Sequence, residues 1–303
     1  MLGPTGAGKS QLGLDLAEAF GGEIVNCDSI QVYRGFEIGA AKVPVGERRG
    51  IPHHLLDVAG PGDELTAGAY SRMAREVLFS LKQNGRIPIV VGGTGFYLRA
   101  LVDGFSPAPS RDEELRARLR KIAERRAAAL HRFLRQQDPE AAGRIHVNDQ
   151  QKLIRAIELT MLAGQPASKI QSLPRDAVQG FRVLKLGLAP ERNVLNPHLN
   201  ERVAWMFKNG LLTETKALLE AGYRAGAKPM QSLGYKQALK VLMEALPIHD
   251  AVYECQKETR HYAKRQMTWF RCESGVEWLE GFGWEESIRD RALSRLEKFV
   301  AAC

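Results

Sequence analysis

The spacing of apolar residues changes along this chain, and the changes mark its elements. After Ser10, the residues Leu12, Leu14, Leu16, Ala17 and Phe20 continue a helical apolar face that Gly21-Gly22 ends. Glu23 to Cys27 then reads as a short buried strand running into Asp28. Ala69, Met73, Ala74, Val77, Leu78 and Leu81 predict a helix over Ala67 to Asn84, stopped by Gly85, and Ile87 to Val91 predicts a second buried strand that ends in Gly92-Gly93. Strand, helix, strand with apolar strands implies a parallel sheet covered on both faces.

Pro107-Ala108-Pro109 breaks this alternation, and an Arg-, Ala- and Leu-rich helical stretch without strand signals follows. The pattern predicts a mainly helical subdomain over 107–181 inserted into an α/β core made of 1–106 and 182–303. Within the insertion, Gln150 to Leu162 reads as a helix closing at Gly164. Arg182 to Leu188 returns as a strand before Pro190, and the remainder is largely helical, with breaks near Gly210, Gly222 to Pro229 and Pro247.

Composition narrows the class. With 303 residues, 44% apolar and 26% charged, the chain is a globular protein of one large or two ordinary domains, and not a disordered, collagenous or disulfide-built one. The formal charge is +8, and the excess is local. Arg111 to Arg135 holds nine Arg/Lys against four acids, and Lys257 to Arg271 holds five against one, so the rest of the chain is close to neutral. Two basic stretches on a balanced background resemble a footprint for a polyanion; the plainer reading is solvated helix faces. Cys27, Cys255, Cys272 and Cys303 lack metal-site spacing and read as reduced thiols. No signal-peptide pattern and no apolar run of about 18 residues is present, so no membrane attachment is expected and the cytoplasm is the default compartment, with an organelle left open.

Gly3-Pro4-Thr5-Gly6-Ala7-Gly8-Lys9-Ser10 fits G-x-x-x-x-G-K-[ST], the phosphate loop, and opens directly into the first predicted helix. Its glycines let backbone N–H groups turn inward around phosphate oxygens, the helix N-terminus adds a favourable dipole, Lys9 supplies a point charge, and Ser10 a ligand for Mg²⁺. Such a loop normally follows a central buried strand, yet only Met1 and Leu2 precede Gly3, so either the start is truncated or the sheet lacks its middle strand. A nucleotide hydrolase or kinase would usually hold Mg²⁺ with an Asp at the end of an apolar strand. Here Ile87 to Val91 ends in Gly92-Gly93-Thr94 instead. The acid nearest the ligand-binding edge is Asp28, at the end of the other strand; its plainer role is to cap a turn with Ser29.

Seven blocks, in order, carry a more specific likeness. They are Gly3 to Ser10, Asp28-Ser29-Ile30-Gln31-Val32-Tyr33-Arg34-Gly35, Ile51-Pro52-His53-His54-Leu55-Leu56-Asp57, Gly92-Gly93-Thr94-Gly95-Phe96-Tyr97-Leu98, Asn148-Asp149 with Gln151 to Ala156, Gly234-Tyr235-Lys236, and Thr259-Arg260 through Ala263 to Phe270. Together they resemble the tRNA dimethylallyltransferase family from Gly3 to about Arg271. The likeness departs at Cys27, where a small residue is usual, at Ile30, where Arg or Met is common, at Val147, where Pro is frequent, and at the short segment before Gly3.

The resemblance implies a phosphate-loop NTPase-like α/β core and transfer of a dimethylallyl group from its diphosphate to N6 of the adenosine just 3′ of a tRNA anticodon. A diphosphate leaving group needs the same cradle and Mg²⁺ as a nucleotide's phosphates. By resemblance, Asp28 is the general base and Thr94 lies near the reacting centre, while Gly3, Pro4, Thr5, Gly6, Ala7, Gly8, Lys9 and Ser10, with Arg202, hold the diphosphate. Ser29, Ile30, Gln31, Arg116, Gln151, Lys152, Leu153, Ile154, Arg155, Lys264, Arg265 and Arg271 fall in segments that touch the anticodon stem-loop, together with Asp28 and Thr94. Gln31 is a candidate reader of an adenine edge, and Lys152 and Arg155, three apart on a helix, are candidates to face one phosphate together; the plainer reading of that helix is solvated charge on one face with Leu153, Ile154 and Ile157 as core. Trp269 and Phe270 read as core, and His53 and His54 as packing residues. A monomer is expected. The rival readings are an ATP-dependent nucleoside or small-molecule kinase and a non-catalytic RNA-binding protein.

Overall fold

The computed structural model describes residues 1–126 and 128–302. Its elements in chain order are helix α1 (Lys9–Phe20), strand β1 (Gly22–Asn26), strand β2 (His53–His54), helix α2 (Ala67–Gln83), strand β3 (Ile87–Val91), helix α3 (Gly95–Val102), helices α4 (Glu113–Arg125), α5 (Ala129–Gln137), α6 (Pro139–Arg144), α7 (Gln150–Ala163) and α8 (Ala167–Ser172), strand β4 (Lys185–Leu188), helices α9 (Arg192–Lys208), α10 (Leu211–Glu220), α11 (Tyr235–Glu244) and α12 (Ile248–Phe270), strand β5 (Val276–Leu279) and helix α13 (Glu286–Ala301). They fall into two compact units, Met1–Leu101 with Gly180–Cys303, and Val102–Gln179. The sequence pattern had set the insertion at 107–181.

In the first unit β1 pairs in parallel with both β2 and β3, and β4 pairs in parallel with β5. The middle position that the sequence left vacant is filled by Met1 and Leu2. The Met1 amine donates to Val90 O at 2.7 Å, and Gly92 N–H donates to Met1 O at 3.4 Å. On the other side, Leu2 N–H donates to Leu186 O at 3.0 Å, and Leu188 N–H donates to Leu2 O at 2.9 Å. Two residues therefore bridge β3 and β4, but Leu2 forms only an isolated bridge to Gly187 and, among the described residues, no strand precedes α1, so β2-β1-β3 and β4-β5 are separate sheets. Met1 bonds to one neighbour and Leu2 to the other, as successive residues of a parallel strand do, and Leu2 is 1% exposed.

The apolar rows of α1 (Leu12, Leu16) and α13 (Ile288, Leu296) meet β1, β3, β4 and β5 in one core. Helix α2, capped by Thr66, whose hydroxyl accepts from Ala69 N–H, also packs on β1 and β3. Its Tyr70 hydroxyl donates to Asn26 O at 2.9 Å, tying α2 to the end of β1 just before Asp28. The second unit is a helical cluster with its own core of Leu119, Leu130, Leu134, Leu153, Ile157 and Ile170.

Cys27, Cys255 and Cys272 are free thiols, while the one expected at Cys303 lies outside the described residues. Among the described residues, no helix is long and apolar enough to cross a membrane.

Candidate active site

The segments that follow Leu2, β1 and β3 at their carboxyl ends line a cleft of about 680 Å³, the edge where ligands bind in such sheets. Gly8 caps α1 in the left-handed region, at φ 85, where a side chain would be strained. No side chain caps the helix, so its first N–H groups remain available to an anion. Lys9 folds back on its own loop, donating from Nζ to Pro4 O at 2.7 Å and Gly3 O at 3.1 Å. Burial pushes its ammonium down to about 8, with Asp28 opposing and Arg202 adding to the shift. Ser10 is exposed at the cleft, one residue into the helix.

Thr5 is gripped from two sides. Arg202, on α9, donates from Nη2 to Thr5 Oγ1 at 2.7 Å, and Gln266, on α12, accepts Thr5 N–H at 2.8 Å. The Arg202 Nε is buried without a partner, and burial lowers this guanidinium's pKa. A buried donor with nothing to bond is costly, and an anion in the cleft would satisfy it.

Asp28 does both things its sequence position allowed. Its Oδ1 accepts Ile30 N–H at 2.8 Å and Gln31 N–H at 3.3 Å, which builds the turn after β1. Among the described residues, Oδ2 has no hydrogen-bond partner. A second cavity of about 390 Å³ shares Thr5, Asp28, Arg202 and Tyr262 with the first, so this carboxylate stands where the two meet.

Thr94 serves the same turn: its Oγ1 accepts Ser29 N–H at 3.0 Å, and its N–H donates to Cys27 O at 3.2 Å. Its hydroxyl also donates to Ser29 Oγ at 3.3 Å, which keeps it beside the Asp28 turn. The Cys27 thiol is pushed up to about 12 by burial and is inert.

The candidate tRNA residues divide. Ser29 and Ile30 line the second cavity, while Gln31 lines the first. The Gln31 amide is already engaged, donating to Ala40 O at 3.0 Å and Ala41 O at 3.3 Å, so it holds a loop rather than offering its donors to an adenine edge. Lys264, Arg265 and Arg271 are exposed on α12 or just past it, and Arg265 also lines the second cavity.

In the helical unit the sequence reading needs correction. Leu153 and Ile154 are 0% and 4% exposed, so their side chains form core instead of touching RNA. Arg155 donates to Glu158 at 2.6 Å and to Pro109 O at 3.1 Å, and Arg116 lies 3.9 Å from the same carboxylate. Glu158 is fully buried, and a buried carboxylate has to be paired, which turns both arginines inward. Lys152 pairs instead with Asp149 at 2.8 Å and stays exposed, so Lys152 and Arg155 do not face one phosphate together. Gln151 is exposed beside it.

Phe270 is buried as expected. Trp269 is only half-buried, with the Arg99 guanidinium 4.5 Å from its ring centre. His54 lies 2.6 Å from Glu23, and His53 bonds Ile51 O at 2.8 Å.

The residue that sequence reasoning passed over is Gln266. It is polar in the row Thr259, Ala263, Gln266, Phe270, which α12 buries, and an amide on a core-facing row is the signal that could have found it. His198, Tyr262 and Trp284 also line the cleft and were not singled out.

A family model described as IPP transferase matches residues 31–273. A tRNA dimethylallyltransferase from Solibacter usitatus is 52% identical over 298 residues, covering 98% of this chain and 97% of that protein. The crystal structure of a full-length tRNA isopentenylpyrophosphate transferase from Bacillus halodurans is similar with a TM-score of 0.71 at 33% identity, over 99% of this chain and 94% of that one. A eukaryotic dimethylallyltransferase acting on tRNA gives a TM-score of 0.84 at 28% identity, over 99% of this chain and 78% of that one.

Proposed function

The chain belongs to the IPP transferase family, and from that premise we propose that it transfers a dimethylallyl group from dimethylallyl diphosphate to N6 of the adenosine 3′ of the anticodon in tRNA. The observation that carries this reading is the unpartnered Oδ2 of Asp28 at the meeting of two cavities, one of them lined by the phosphate loop. A diphosphate donor fits the loop side, and an extruded base fits the other.

The diphosphate accepts hydrogen bonds from the free N–H groups at the start of α1 and charge from Lys9 and Arg202. The N6 amine attacks C1 of the dimethylallyl group as the C1–O bond breaks, and the bonding pair leaves with the diphosphate. The N6 proton passes to Oδ2 of Asp28, whose Oδ1 is held by the turn, so the base is oriented before the substrate arrives. Thr94 steadies that turn through Ser29.

Among the described residues no cluster of three acidic, His or Cys ligands could hold a metal alone, which suits Mg²⁺, an ion often held mainly by substrate phosphates and water. The Ser10 hydroxyl is the protein ligand proposed for it. When bound, Mg²⁺ would neutralise charge on the departing diphosphate. Lys264, Arg265 and Arg271 are proposed to meet tRNA phosphates, with the cytoplasm as the compartment and a monomer as the working form.

The test is diphosphate release. It should require tRNA and the prenyl diphosphate together. Consumption of ATP without tRNA would favour a kinase and overturn the reading.

A further inference from the structure

The reaction needs the diphosphate cradle and the base at a fixed separation, yet they sit on different segments beyond the end of the sheet. One buried side chain spans the gap. Gln266 accepts Thr5 N–H through Oε1 at 2.8 Å and donates through Nε2 to Gly93 O at 2.8 Å, and it is 6% exposed. From Gly93 the chain passes to Thr94, whose hydroxyl accepts Ser29 N–H beside Asp28. A continuous line of bonds therefore runs from the phosphate loop to the carboxylate. The close fit is two-sided, since any side chain at position 93 would collide with the Gln266 amide.

We propose that Gln266 is a positioning residue that sets the distance between the diphosphate cradle and Asp28, a role that rests on the transferase reading above. Glutamine suits the place because one end must accept and the other donate. A carboxylate would still accept from Thr5 but would set a charged oxygen against the Gly93 carbonyl, and an apolar side chain would leave both backbone groups unpaired.

Two variants test this. Gln266→Leu should lower the single-turnover rate at saturating tRNA and donor by about tenfold or more, because small misplacements of reacting groups cost that much. It should weaken donor binding severalfold and leave tRNA affinity within about twofold. Gln266→Glu adds a readout that a merely structural role would not move. Its carboxyl, once protonated, again offers one donor and one acceptor, so its rate relative to wild type should rise as pH falls from about 8 to about 6, burial having raised its pKa. The charged and titratable groups that face the cleft include Asp28, Lys9, His198, Arg202 and Tyr262, so the ratio is also measured for Gln266→Leu, which adds no titratable group, and only a rise seen in Gln266→Glu and absent there supports the role. A wild-type rate for Gln266→Leu overturns the proposal, as does a flat ratio for Gln266→Glu. If wild-type protein itself releases no diphosphate with both substrates, the function fails first and this role falls with it.

Discussion

Replacing Asp28 separates its two jobs. Its Oδ1 supports the turn through Ile30 N–H and Gln31 N–H, and its Oδ2 is free to take a proton. Asp28→Asn keeps an oxygen for the turn and loses only the base, whereas Asp28→Ala removes both. Losing an acceptor of this capping kind costs about 0.5–2 kcal/mol. At about 2–4 °C per kcal/mol for a protein of this size class, Asp28→Ala should melt about 1–8 °C lower. Asp28→Asn should melt close to wild type. The rate should behave otherwise: both variants should fall by about 10²–10⁴ in single-turnover experiments with saturating tRNA and donor, which remove binding and release from the comparison. Donor and tRNA affinities of Asp28→Asn should stay within about tenfold. A near wild-type single-turnover rate for Asp28→Asn would reduce Asp28 to a turn former and refute the reasoning.

Lys9 must be protonated to hold the diphosphate, and burial brings its free-state value to about 8. Donor affinity measured by titration should therefore be level below pH 8 and weaken as pH rises through it, and Lys9→Ala should bind donor poorly and lose that dependence while sparing tRNA affinity. Lys264→Ala should lower the salt slope of tRNA binding by about one unit. Arg116→Ala should act differently from Lys264→Ala, because it removes a partner of buried Glu158 and should show first as a lower melting temperature. Four apolar residues added before Met1 should extend the two-residue bridge into a strand and raise the melting temperature; no change would mean that the sheets gain nothing there.

The core was legible where local pattern decides structure. Glu23 to Cys27 and Ile87 to Val91 read as short buried strands, and β1 (Gly22–Asn26) and β3 (Ile87–Val91) form there, while the Gly-Lys-Ser sequence at the start of α1 marked both a turn and a helix N-terminus. What pattern could not show is pairing across long separations. Met1 and Leu2 gave no strand signal by length, and their place follows from bonds to Val90, Leu186 and Leu188. Arg155 and Glu158 were readable as neighbours on a helix, but the turn of Arg116 towards the same carboxylate depends on how α4 meets α7. Gln31 looked like a base reader because nothing local shows that Ala40 and Ala41 already occupy its amide. Asp28 was readable because its turn and its chemistry ask for the same residue type.

The central claim is tested most directly on tRNA itself. Unmodified tRNA, incubated with the protein, dimethylallyl diphosphate and Mg²⁺, would be digested and its nucleosides analysed by mass spectrometry. The account predicts N6-dimethylallyladenosine at the position 3′ of the anticodon, absent when either the donor or the protein is withheld. Unmodified adenosine there, from protein shown to be folded and to bind tRNA, would contradict it.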